Sequence, residues 1–580
     1  MIVVNLISST LLLLGIIVYK YVYPRRNVNL LSLLIIVSLL PLLSILRKGT
    51  YESGDLTRHA AFAMSFYESL KDGNLIPRWS SEIIYGYGYP LFLFAYPLPY
   101  YLAAFFHFLG FSFVNSLKII LASSFILSGV TMYLFVKEEM KNKFSAFVAG
   151  IFYLFSPYHL VDLHFRVAIG EVISFAILPF CFLTIKKMFS KVSYGWFFLS
   201  AIGFFFFILS HQAISLISTP FILAYCLYLF SRGSKKKLIT LFFSISSLIL
   251  GGLLACFYWL PVIYEARYTN LLTKGVVSFI SLDQLFYSPW MWGFLFQGHK
   301  GELSFIIGHA EWSVILLSAF LFFKKLKARF KERNLYLISL ISFFILIVLT
   351  QSFSNPIWMT VPLLNSFQFS YRLLLLTAFF MSIITGIVIA NIPNKFLLIS
   401  LCLFAVSTTM LNWGNRRMLP LLTDSAILYN LPQDMTKVGP GVTIWADSDK
   451  FNISQRIVPH IETLQGKANV SEVSRTSTTH EYSINVISEN AVFKENTLYF
   501  PNWIVKVNGN PYPFSFKNPS YPGIITFDLN KGSHKVGVSF MDTNIRKSSL
   551  LVSLLSLIIM SVLGLAILIK KNKIFSSANL

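Results

Sequence analysis

Long apolar runs alternate with short polar gaps along most of this chain. Runs of roughly 20 apolar residues can cross a bilayer as helices, and such runs recur between residues 5 and 412 and again from 548 to 569. This pattern predicts a polytopic α-helical membrane protein with about thirteen transmembrane helices. The apolar stretch 97–111 is shorter. We interpret it as an interfacial or re-entrant segment, since its backbone would otherwise need satisfied hydrogen bonds inside the membrane.

The pattern changes near the C-terminus, where apolar and polar residues alternate with a period of two. The segments "YSINVISENAVF" and "GIITFDLNKGSHKVGVSF" show this alternation, and Asn508-Gly509 and Lys531-Gly532 supply turn signals. These features predict an all-β, sandwich-like domain. Tyr499, Trp503 and Tyr512 could stack on sugar rings there, although packing inside a small β core is the commoner role of aromatic side chains.

Five segments follow from the two patterns. They are two N-terminal transmembrane helices (1–46), a first outer loop with amphipathic helices (47–114), a transmembrane core (115–412), the β domain (413–547), and a last transmembrane helix with a basic tail (548–580).

Composition and charge agree with a membrane protein and indicate its orientation. Hydrophobic residues make up 55% of the chain and charged residues only 13%, yet the net charge is +23. Short loops rich in lysine and arginine stay in the cytoplasm. The basic clusters in the short gaps are Arg25-Arg26, Lys137 to Lys143, Lys186-Lys187, Arg232 to Lys237, Lys324 to Arg333, Lys395, and Lys570 to Lys573.

The remaining polar loops therefore share the extracytoplasmic side. They are residues 47–114, 159–168, 259–311, 351–371 and 413–547. Because the positive charge is divided among separate loops, nucleic-acid binding is disfavoured. The four cysteines all lie in apolar runs without a paired spacing, so we expect neither disulfides nor a zinc site.

The first outer loop contains "GDLTRHAAFAMSFYESLKDGNLIPRWSSEIIYGYGYP", residues 54–90. Its apolar periodicity predicts an amphipathic helix from Asp55 to Gly73. Asp55 and His59 are four residues apart and share one side of this helix, where they could bind a hydroxyl group or a metal ion. The alternative, slightly favoured by spacing alone, is that Asp55 caps the helix and His59 merely lies beside it.

A second polar group interrupts the apolar runs in "SPYHLVDLHFRVAIGEV", residues 156–172. Ionisable residues at membrane depth are costly and usually mark a functional site. The candidates in this stretch are Asp162, His164, Arg166 and Glu171. Arg78 and Arg372 could bind a phosphate through paired hydrogen bonds, or they could be ion-paired or snorkelling arginines, an account that we favour for Arg267.

The segments "NLIPRWSSEIIYGYGYPLFLFAYPLPYYLAAFFHFLG", "LSGVTMYLFVKEEM" and "FYLFSPYHLVDLHFRVAIGEVISFAILPF" resemble the 6-pyruvoyl-tetrahydropterin-synthase-related membrane proteins. These proteins in turn resemble YfhO-like and other GT-C glycosyltransferases. The resemblance covers about residues 50–375 in ordered blocks. "FPNWIVKVNG" and "NKGSHKVGVSF" also resemble the C-terminal β region of YfhO-like proteins.

This resemblance implies a GT-C-like core at 115–412 and a membrane glycosyltransferase. Such an enzyme takes sugar from a polyprenyl-phosphate donor on the outer side of the bilayer and passes it to a glycan, lipid or protein acceptor. By position, Asp55 would be the base and Asp162 the second acid. His59 and Glu171 would be further catalytic candidates. The implied substrate-binding residues are Arg78, Tyr87, His164, Arg166, Gln368 and Arg372.

The chain departs from the family pattern at one of these sites. The usual Gln-Phe-Pro-Trp-Arg is replaced by Gln368-Phe369-Ser370-Tyr371-Arg372, so the glutamine and the arginine are kept while the residues between them differ. Magnesium or manganese between Asp55 and Asp162 is conceivable because hard cations prefer oxygen ligands. Two carboxylates without a ligand spacing do not assign a metal site.

Two other classes of function fit the same patterns. A transporter or flippase of lipid-linked glycans would also have many spans with charged residues, although it usually shows internal repeats, and none is evident here. A non-catalytic membrane anchor could instead present the β domain to partners. Loss of output after mutation of the loop acids would favour the enzyme, and loss after deletion of the β domain alone would favour the anchor.

Overall fold

The computed structural model of the chain describes most of its residues in two compact units. The residues described are 1–580 apart from 233–236, 271–276, 288–302, 325–329, 362–363, 365–366, 393, 411–412, 415–416, 430–442, 447–458 and 578–580. Unit 1 comprises Met1–His59, Phe105–Gly252 and Val277–Thr423. Unit 2 comprises Ala60–Ala104, Leu253–Val276 and Asp424–Leu580. Residues 415–416, 430–442 and 447–458 of the predicted β domain and parts of two basic loops lie outside the described residues.

Helices dominate the described residues. The α-helices are α1 (Ile2–Val22), α2 (Leu30–Leu42), α3 (Leu56–Lys71), α4 (Leu91–Phe94), α5 (Leu98–Phe108), α6 (Phe113–Met140), α7 (Lys143–Leu154), α8 (Pro157–Val161), α9 (Ile169–Ser190), α10 (Tyr194–Ser210), α11 (Gln212–Arg232), α12 (Lys237–Leu254), α13 (Cys256–Glu265), α14 (His309–Lys324), α15 (Arg333–Leu349), α16 (Asn355–Thr360), α17 (Leu374–Asn391), α18 (Lys395–Ser407), α19 (Asp424–Tyr429) and α20 (Asn544–Ser577). A π-helical turn covers Asp162–Arg166 and a 3-10 turn covers Ser370–Leu373.

The apolar helices bear out a polytopic membrane protein. Within the described residues, six helices are long and apolar enough to span a bilayer, and the number rises to nine if each of three bent helix pairs is one span. Three shorter apolar helices are also present among them. The total of about thirteen remains a prediction, because these lengths and compositions alone do not decide which of the shorter segments cross.

Helix α17 is the centre of unit 1, and every one of its residues is buried. A helix that is apolar on all sides packs stably only when other helices surround it, and α7, α14 and α15 pack against it. Close helix contacts require small residues. At Gly386 of α17, for example, an added Cβ would lie 3.0 Å from Cγ1 of Val136.

Two sequence expectations about the first outer loop can be compared with the helices. Helix α3 lies inside the predicted limits of Asp55 and Gly73, and Gly73 has the positive φ of +90° that suits a helix end. The amphipathic helix is therefore confirmed. The stretch 97–111 contains α5, whose 11 residues extend roughly 16 Å. That is about half the thickness of a bilayer core.

The predicted β domain is present in unit 2. Its strands are β3 (Ile461–Gln465), β4 (Ala468–Arg475), β5 (Thr479–Leu498), β6 (Trp503–Val507), β7 (Asn510–Tyr512) and β8 (Ile524–Phe540), and two further short strands in unit 1 are β1 (Thr50–Tyr51) and β2 (Met418–Leu419). In unit 2 the antiparallel order is β3-β5-β8-β6-β7, with β4 also paired to β5. We expected a sandwich-like arrangement; the described strands form one hydrogen-bonded sheet of six strands.

The two turn signals in this domain have different outcomes. Asn508-Gly509 forms the predicted two-residue hairpin between β6 and β7, and both residues have positive φ. The prediction of a turn at Lys531-Gly532 is wrong, because both residues lie inside β8. The pairing register shifts there between Val486 and Asn490 of β5, and glycine in a strand commonly marks such a bulge.

Trp503 is 1% exposed and its ring contacts that of Phe540, so it fills the core, as the commoner alternative predicts. The same domain contains a fully buried carboxylate, Glu495. Glu495 Oε1 lies 2.9 Å from His480 Nδ1 and accepts hydrogen bonds from Tyr482 at 3.0 Å and Arg475 at 3.2 Å. Burial alone would raise the pKa of Glu495, but His480 and Arg475 outweigh it and bring that pKa down to about 2.

A folded-state pKa below the ordinary value of about 4.3 makes stability depend on pH. The ionised Glu495 contributes about 3 kcal/mol to the free energy of unfolding. This contribution is complete above about pH 4.3 and disappears as the pH falls towards 2. We expect hydrogen exchange of the β5 amides, measured by mass spectrometry on the whole protein, to accelerate across this range. Glu495→Gln should accelerate exchange at neutral pH and remove the dependence. The exposed Glu481→Gln on the same strand is the control, and equal behaviour of the two variants would contradict the assignment.

Candidate functional site: a buried cluster of carboxylates and arginines

Three charged residues predicted from the sequence meet at the start of α9 in unit 1. Arg166 Nη1 donates to Asp162 Oδ1 at 2.5 Å and to the Tyr158 hydroxyl at 2.7 Å. Arg166 Nη2 donates to Glu171 Oε1 at 3.0 Å. Glu171 also accepts a hydrogen bond of 2.7 Å from Tyr158. All four side chains are buried, so one guanidinium joins both carboxylates away from water.

Arg372 joins this group from the 3-10 turn that precedes α17. Its Nε donates to Glu171 Oε1 at 3.2 Å, and its Nη1 donates to the Phe367 carbonyl at 2.8 Å. Its Nη2 has no hydrogen-bond partner among the described residues, and its side chain is 16% exposed. Arg372 is therefore the more exposed arginine of the cluster, and its Nη2 can donate to a bound anion.

The positive and negative charges of the cluster are equal in number, but one of its buried oxygen atoms has no hydrogen-bond donor. The two carboxylates face two guanidinium groups, which is the arrangement that makes buried charge tolerable. Asp162 Oδ2, however, is buried and has no hydrogen-bond partner within the described part of the chain. Buried polar atoms without a partner cost roughly 1–3 kcal/mol, and more when charged. Such an atom in a native structure requires an explanation, such as a bound water or ion, local strain or a functional role.

Unusual backbone conformations flank both arginines. Asp162–Arg166 is a π-helical turn, a conformation found frequently at functional sites. Val167 follows Arg166 with a φ of +55°, and Gln368 precedes the turn of Arg372 with a φ of +71°. Positive φ is a real strain for a β-branched residue such as valine. Strain of this kind persists only where the surroundings enforce it, and it concentrates at active sites.

The segment that contains Asp55 is hydrogen-bonded to the same turn. The backbone N–H groups of Gly54 and Asp55 donate to the carbonyls of Phe165 and Arg166 at 2.8 and 2.9 Å. The Asp55 carboxylate is 29% exposed and pairs with Arg58 at 2.7 Å. It does not cap the helix; the N–H of Leu56 donates to the Ser53 hydroxyl instead. The two acids predicted from distant parts of the sequence thus lie in neighbouring segments of unit 1.

The two histidines predicted as site residues are buried, and each is close in sequence to one of these acids. His59 lies one turn after Asp55 in α3, and burial lowers its pKa to about 4 even though Asp55 opposes this shift. The imidazole is therefore neutral at pH 7. His164 lies within the π-helical turn and is 1% exposed.

Arg78 and Tyr87 belong to unit 2. Arg78 Nε pairs with Asp542 at 3.1 Å, and its side chain is buried, so its contacts are those of an ion-paired arginine. The carbonyl of Tyr87 accepts the N–H of Leu498. In the same loop, Ile84 and Tyr85 have positive φ. A Cβ on Gly88 would lie 2.4 Å from Trp79 Nε1, so only glycine allows the tryptophan so close.

Sequence reasoning missed the aromatic residues of the cluster. Tyr158 lies between Arg166 and Glu171, and the Tyr371 ring lies 5.0 Å from the Arg166 guanidinium carbon. Both tyrosines stand in the stretches that drew attention to the arginines, but tyrosine is common in apolar runs and gave no separate signal. No group of three or more histidine, cysteine, aspartate or glutamate residues is arranged to hold a metal ion in the part of the chain that the structure describes.

Comparison with known proteins identifies the family of this chain. The model of the 6-pyruvoyl-tetrahydropterin synthase related domain, a membrane protein, matches residues 93–415. This range is more than half of the 580 residues. The chain belongs to this family. The resemblance expected from the sequence is thereby confirmed, and the matched range includes Asp162, Glu171 and Arg372 but not Asp55.

Other similarities are weaker. An uncharacterized protein of Lactococcus lactis subsp. cremoris is 25% identical over 254 residues, which are 42% of this chain and 41% of that relative. Among solved structures, the arabinofuranosyltransferase AftD from Mycobacteria is 13% identical with a TM-score of 0.46 over 69% of this chain and 27% of AftD. The oligosaccharyltransferase of Archaeoglobus fulgidus in its apo form is 13% identical with a TM-score of 0.40 over 74% of this chain and 58% of the enzyme. TM-scores below 0.5 do not establish a common fold.

Arg166→Lys tests whether the cluster holds unit 1 together. A lysine keeps the charge but cannot reproduce the fork that binds three groups at once, so we expect a loss of about 3 kcal/mol in unfolding free energy. Thermal unfolding of the protein in detergent measures it. Arg232→Lys is the matched control, since Arg232 is 44% exposed in its pair with Glu332 and should contribute under 1 kcal/mol. Equally small effects of both substitutions would contradict this assignment.

Proposed function

We propose that the chain is a membrane glycosyltransferase that transfers a sugar from a polyprenyl-phosphate donor to an extracytoplasmic acceptor. The observation that carries the proposal is the buried cluster of Asp162, Arg166, Glu171 and Arg372, held by strained backbone inside apolar helices. A purely structural ion pair would need neither the strain nor the unpartnered oxygen. Arginines at the end of a helical bundle suit a ligand whose charged phosphate is attached to an apolar tail.

Arg372 is the proposed phosphate ligand. Its Nη2 has no partner among the described residues, whereas both Nη atoms of Arg166 are already engaged. In this scheme Glu171 and Asp162 position the guanidinium groups. The donor phosphate is a phosphodiester and binds Arg372 as a monoanion, and Arg372 stabilises the second negative charge that grows on the phosphate as the bond to the sugar breaks.

Asp55 is the proposed base. Its carboxylate is partly exposed, while Asp162 is fully buried, so an acceptor hydroxyl can reach Asp55 more readily. The acceptor oxygen attacks the anomeric carbon and its proton passes to Asp55. The bond between that carbon and the phosphate oxygen breaks, and the polyprenyl phosphate leaves with the electron pair. A single displacement of this kind inverts the anomeric configuration.

Asp55→Asn and Arg372→Ala should affect different steps. With the protein in nanodiscs and a panel of undecaprenyl-phosphate monosaccharides, we expect Asp55→Asn to lower kcat by about 10²–10⁴-fold without weakening donor binding. Arg372→Ala should weaken binding of undecaprenyl phosphate about 10–100-fold, the loss of a charge-assisted hydrogen bond. Arg232→Ala, which removes a paired arginine outside the cluster, is the control for both. Full turnover by Asp55→Asn, or equal binding by all the variants, would refute these roles.

The membrane orientation belongs to the same proposal. Helix α9 begins beside Glu171 and ends at a second charged group, in which Lys187 pairs with Glu138 at 2.5 Å and Lys186 with Glu139 at 2.6 Å. The helix has 22 residues, so its ends are roughly 33 Å apart, close to the thickness of a bilayer core of about 30 Å. This separation supports opposite sides of the bilayer for the cluster and the basic loops, and the rule that short basic loops stay in the cytoplasm then gives the cluster the outer side.

Cysteine labelling tests the orientation. A membrane-impermeant maleimide added to intact cells should label Ser520→Cys in the β domain but not Lys143→Cys in the predicted cytoplasmic loop, because the reagent reaches only the outer surface. Inverted membrane vesicles should give the opposite result. The unmodified chain, in which Cys181, Cys226 and Cys256 are buried, gives the background. Labelling of both positions from one side would overturn the orientation.

A further inference from the structure

A small cavity lies in unit 1 next to the charged cluster. It has a volume of about 10 Å³, close to the roughly 10–15 Å³ that one water molecule requires. Apolar side chains form much of its wall. The polar residues that line it are Ser156, Tyr158, Glu311 and Thr377. Tyr158 is the residue whose hydroxyl bonds Arg166 and Glu171, so this cavity shares one wall residue with the cluster.

Glu311 is the exceptional group in this wall. It is 4% exposed, and its Oε1 has no hydrogen-bond partner among the described residues. None of those residues forms an ion pair with it either. Its carboxylate folds back over Gly308, where a Cβ would lie 1.9 Å from Oε2. The glycine, with a φ of +123°, permits this position of the side chain.

The surroundings do not compensate a negative charge on Glu311. Glu311 lies in the first turn of α14, where the helix dipole stabilises an anion by roughly 0.3–2 kcal/mol. Removing a carboxylate from water costs several kcal/mol after relaxation. The helix end is therefore insufficient, so the carboxyl either keeps its proton or has a positive partner at Oε1. Water-sized cavities that stay empty are lined by apolar groups, and this one is not.

The oxygen atoms around the cavity suit a small hard cation. The Ser156 hydroxyl has no hydrogen bond to the described residues, and the Thr377 hydroxyl donates to the Leu373 carbonyl at 3.0 Å, which leaves its oxygen lone pairs available. Hard cations prefer carboxylate, hydroxyl and carbonyl oxygens. One carboxylate balances one positive charge, whereas a divalent ion would leave an excess charge among apolar side chains.

We propose that this cavity is a binding site for a single sodium ion, with Glu311, Ser156 and Thr377 as its side-chain ligands. The ion neutralises the buried carboxylate and fixes the helix end that carries it. Because Tyr158 lines the cavity and also bonds Arg166 and Glu171, an ion in the cavity also steadies the wall that faces the charged cluster. The site is independent of the proposed transfer reaction and can exist whether or not that reaction takes place.

Binding of radioactive ²²Na⁺ to the whole protein in detergent measures the site directly. We expect saturable binding of about one ion per chain, competed by unlabelled sodium chloride but not by choline chloride at equal ionic strength. In a parallel thermal unfolding experiment, sodium chloride should raise Tm by about 2–4 °C over choline chloride, with saturation. Glu311→Gln removes the charge while keeping the shape, and it should abolish both effects.

The controls separate a specific site from general salt effects and misfolding. Glu139→Gln removes another buried carboxylate of unit 1, one that is already paired with Lys186, and it should retain the sodium response. If Glu311→Gln fails to fold, Ser156→Ala provides the test, because that hydroxyl bonds no described residue; it should raise the sodium concentration needed for half-saturation at least several-fold. Absence of saturable ²²Na⁺ binding, or unchanged binding in folded Glu311→Gln or Ser156→Ala protein, would overturn the proposal.

Discussion

Glu171 holds two arginines inside an apolar bundle, and this interaction joins the segments of unit 1 that form the charged cluster. A lone charge at this depth would cost several kcal/mol. The carboxylate of Glu171 lies 3.0 Å from Arg166 Nη2 and 3.2 Å from Arg372 Nε, so three charges are taken from water together. These three residues come from α9, from the π-helical turn before it and from the 3-10 turn before α17. Their pairing therefore fixes how the ends of the helices meet.

The local backbone follows from this requirement. Arg166 can face both Asp162 and Glu171 because the chain winds as a π turn and then reverses at Val167, with a φ of +55°. The carbonyls left free at that reversal accept the N–H groups of Gly54 and Asp55. One strained turn thus organises the charged cluster and also holds Gly54 and Asp55 next to it, which is how residues more than a hundred positions apart in the sequence become neighbours.

The sequence predicted the class of fold well because hydrophobic periodicity depends on local patterns. The apolar runs, helix α3 and the alternating strands were all visible in it. Charges are rare in apolar runs, so the sequence drew attention to Asp162, Arg166 and Glu171. Their pairing depends on the π turn, which no residue pattern predicts. The prediction of a turn at Lys531-Gly532 was wrong because glycine occurs in β-bulges as well as in turns. Glu311 was missed because an acid at the start of a helix is ordinary until its burial is known.

For the buried cluster, we propose above all that Arg372 binds the phosphate of a polyprenyl lipid. The most direct measurement is an electron cryomicroscopy structure of the protein in nanodiscs containing undecaprenyl phosphate. We expect phosphate density within hydrogen-bonding distance of Arg372 Nη2, with the prenyl chain continuing among apolar helices. Phosphate bound at another position while Arg372 Nη2 remains without a ligand, or an unchanged cluster with no lipid density beside it at saturating lipid, would contradict the claim.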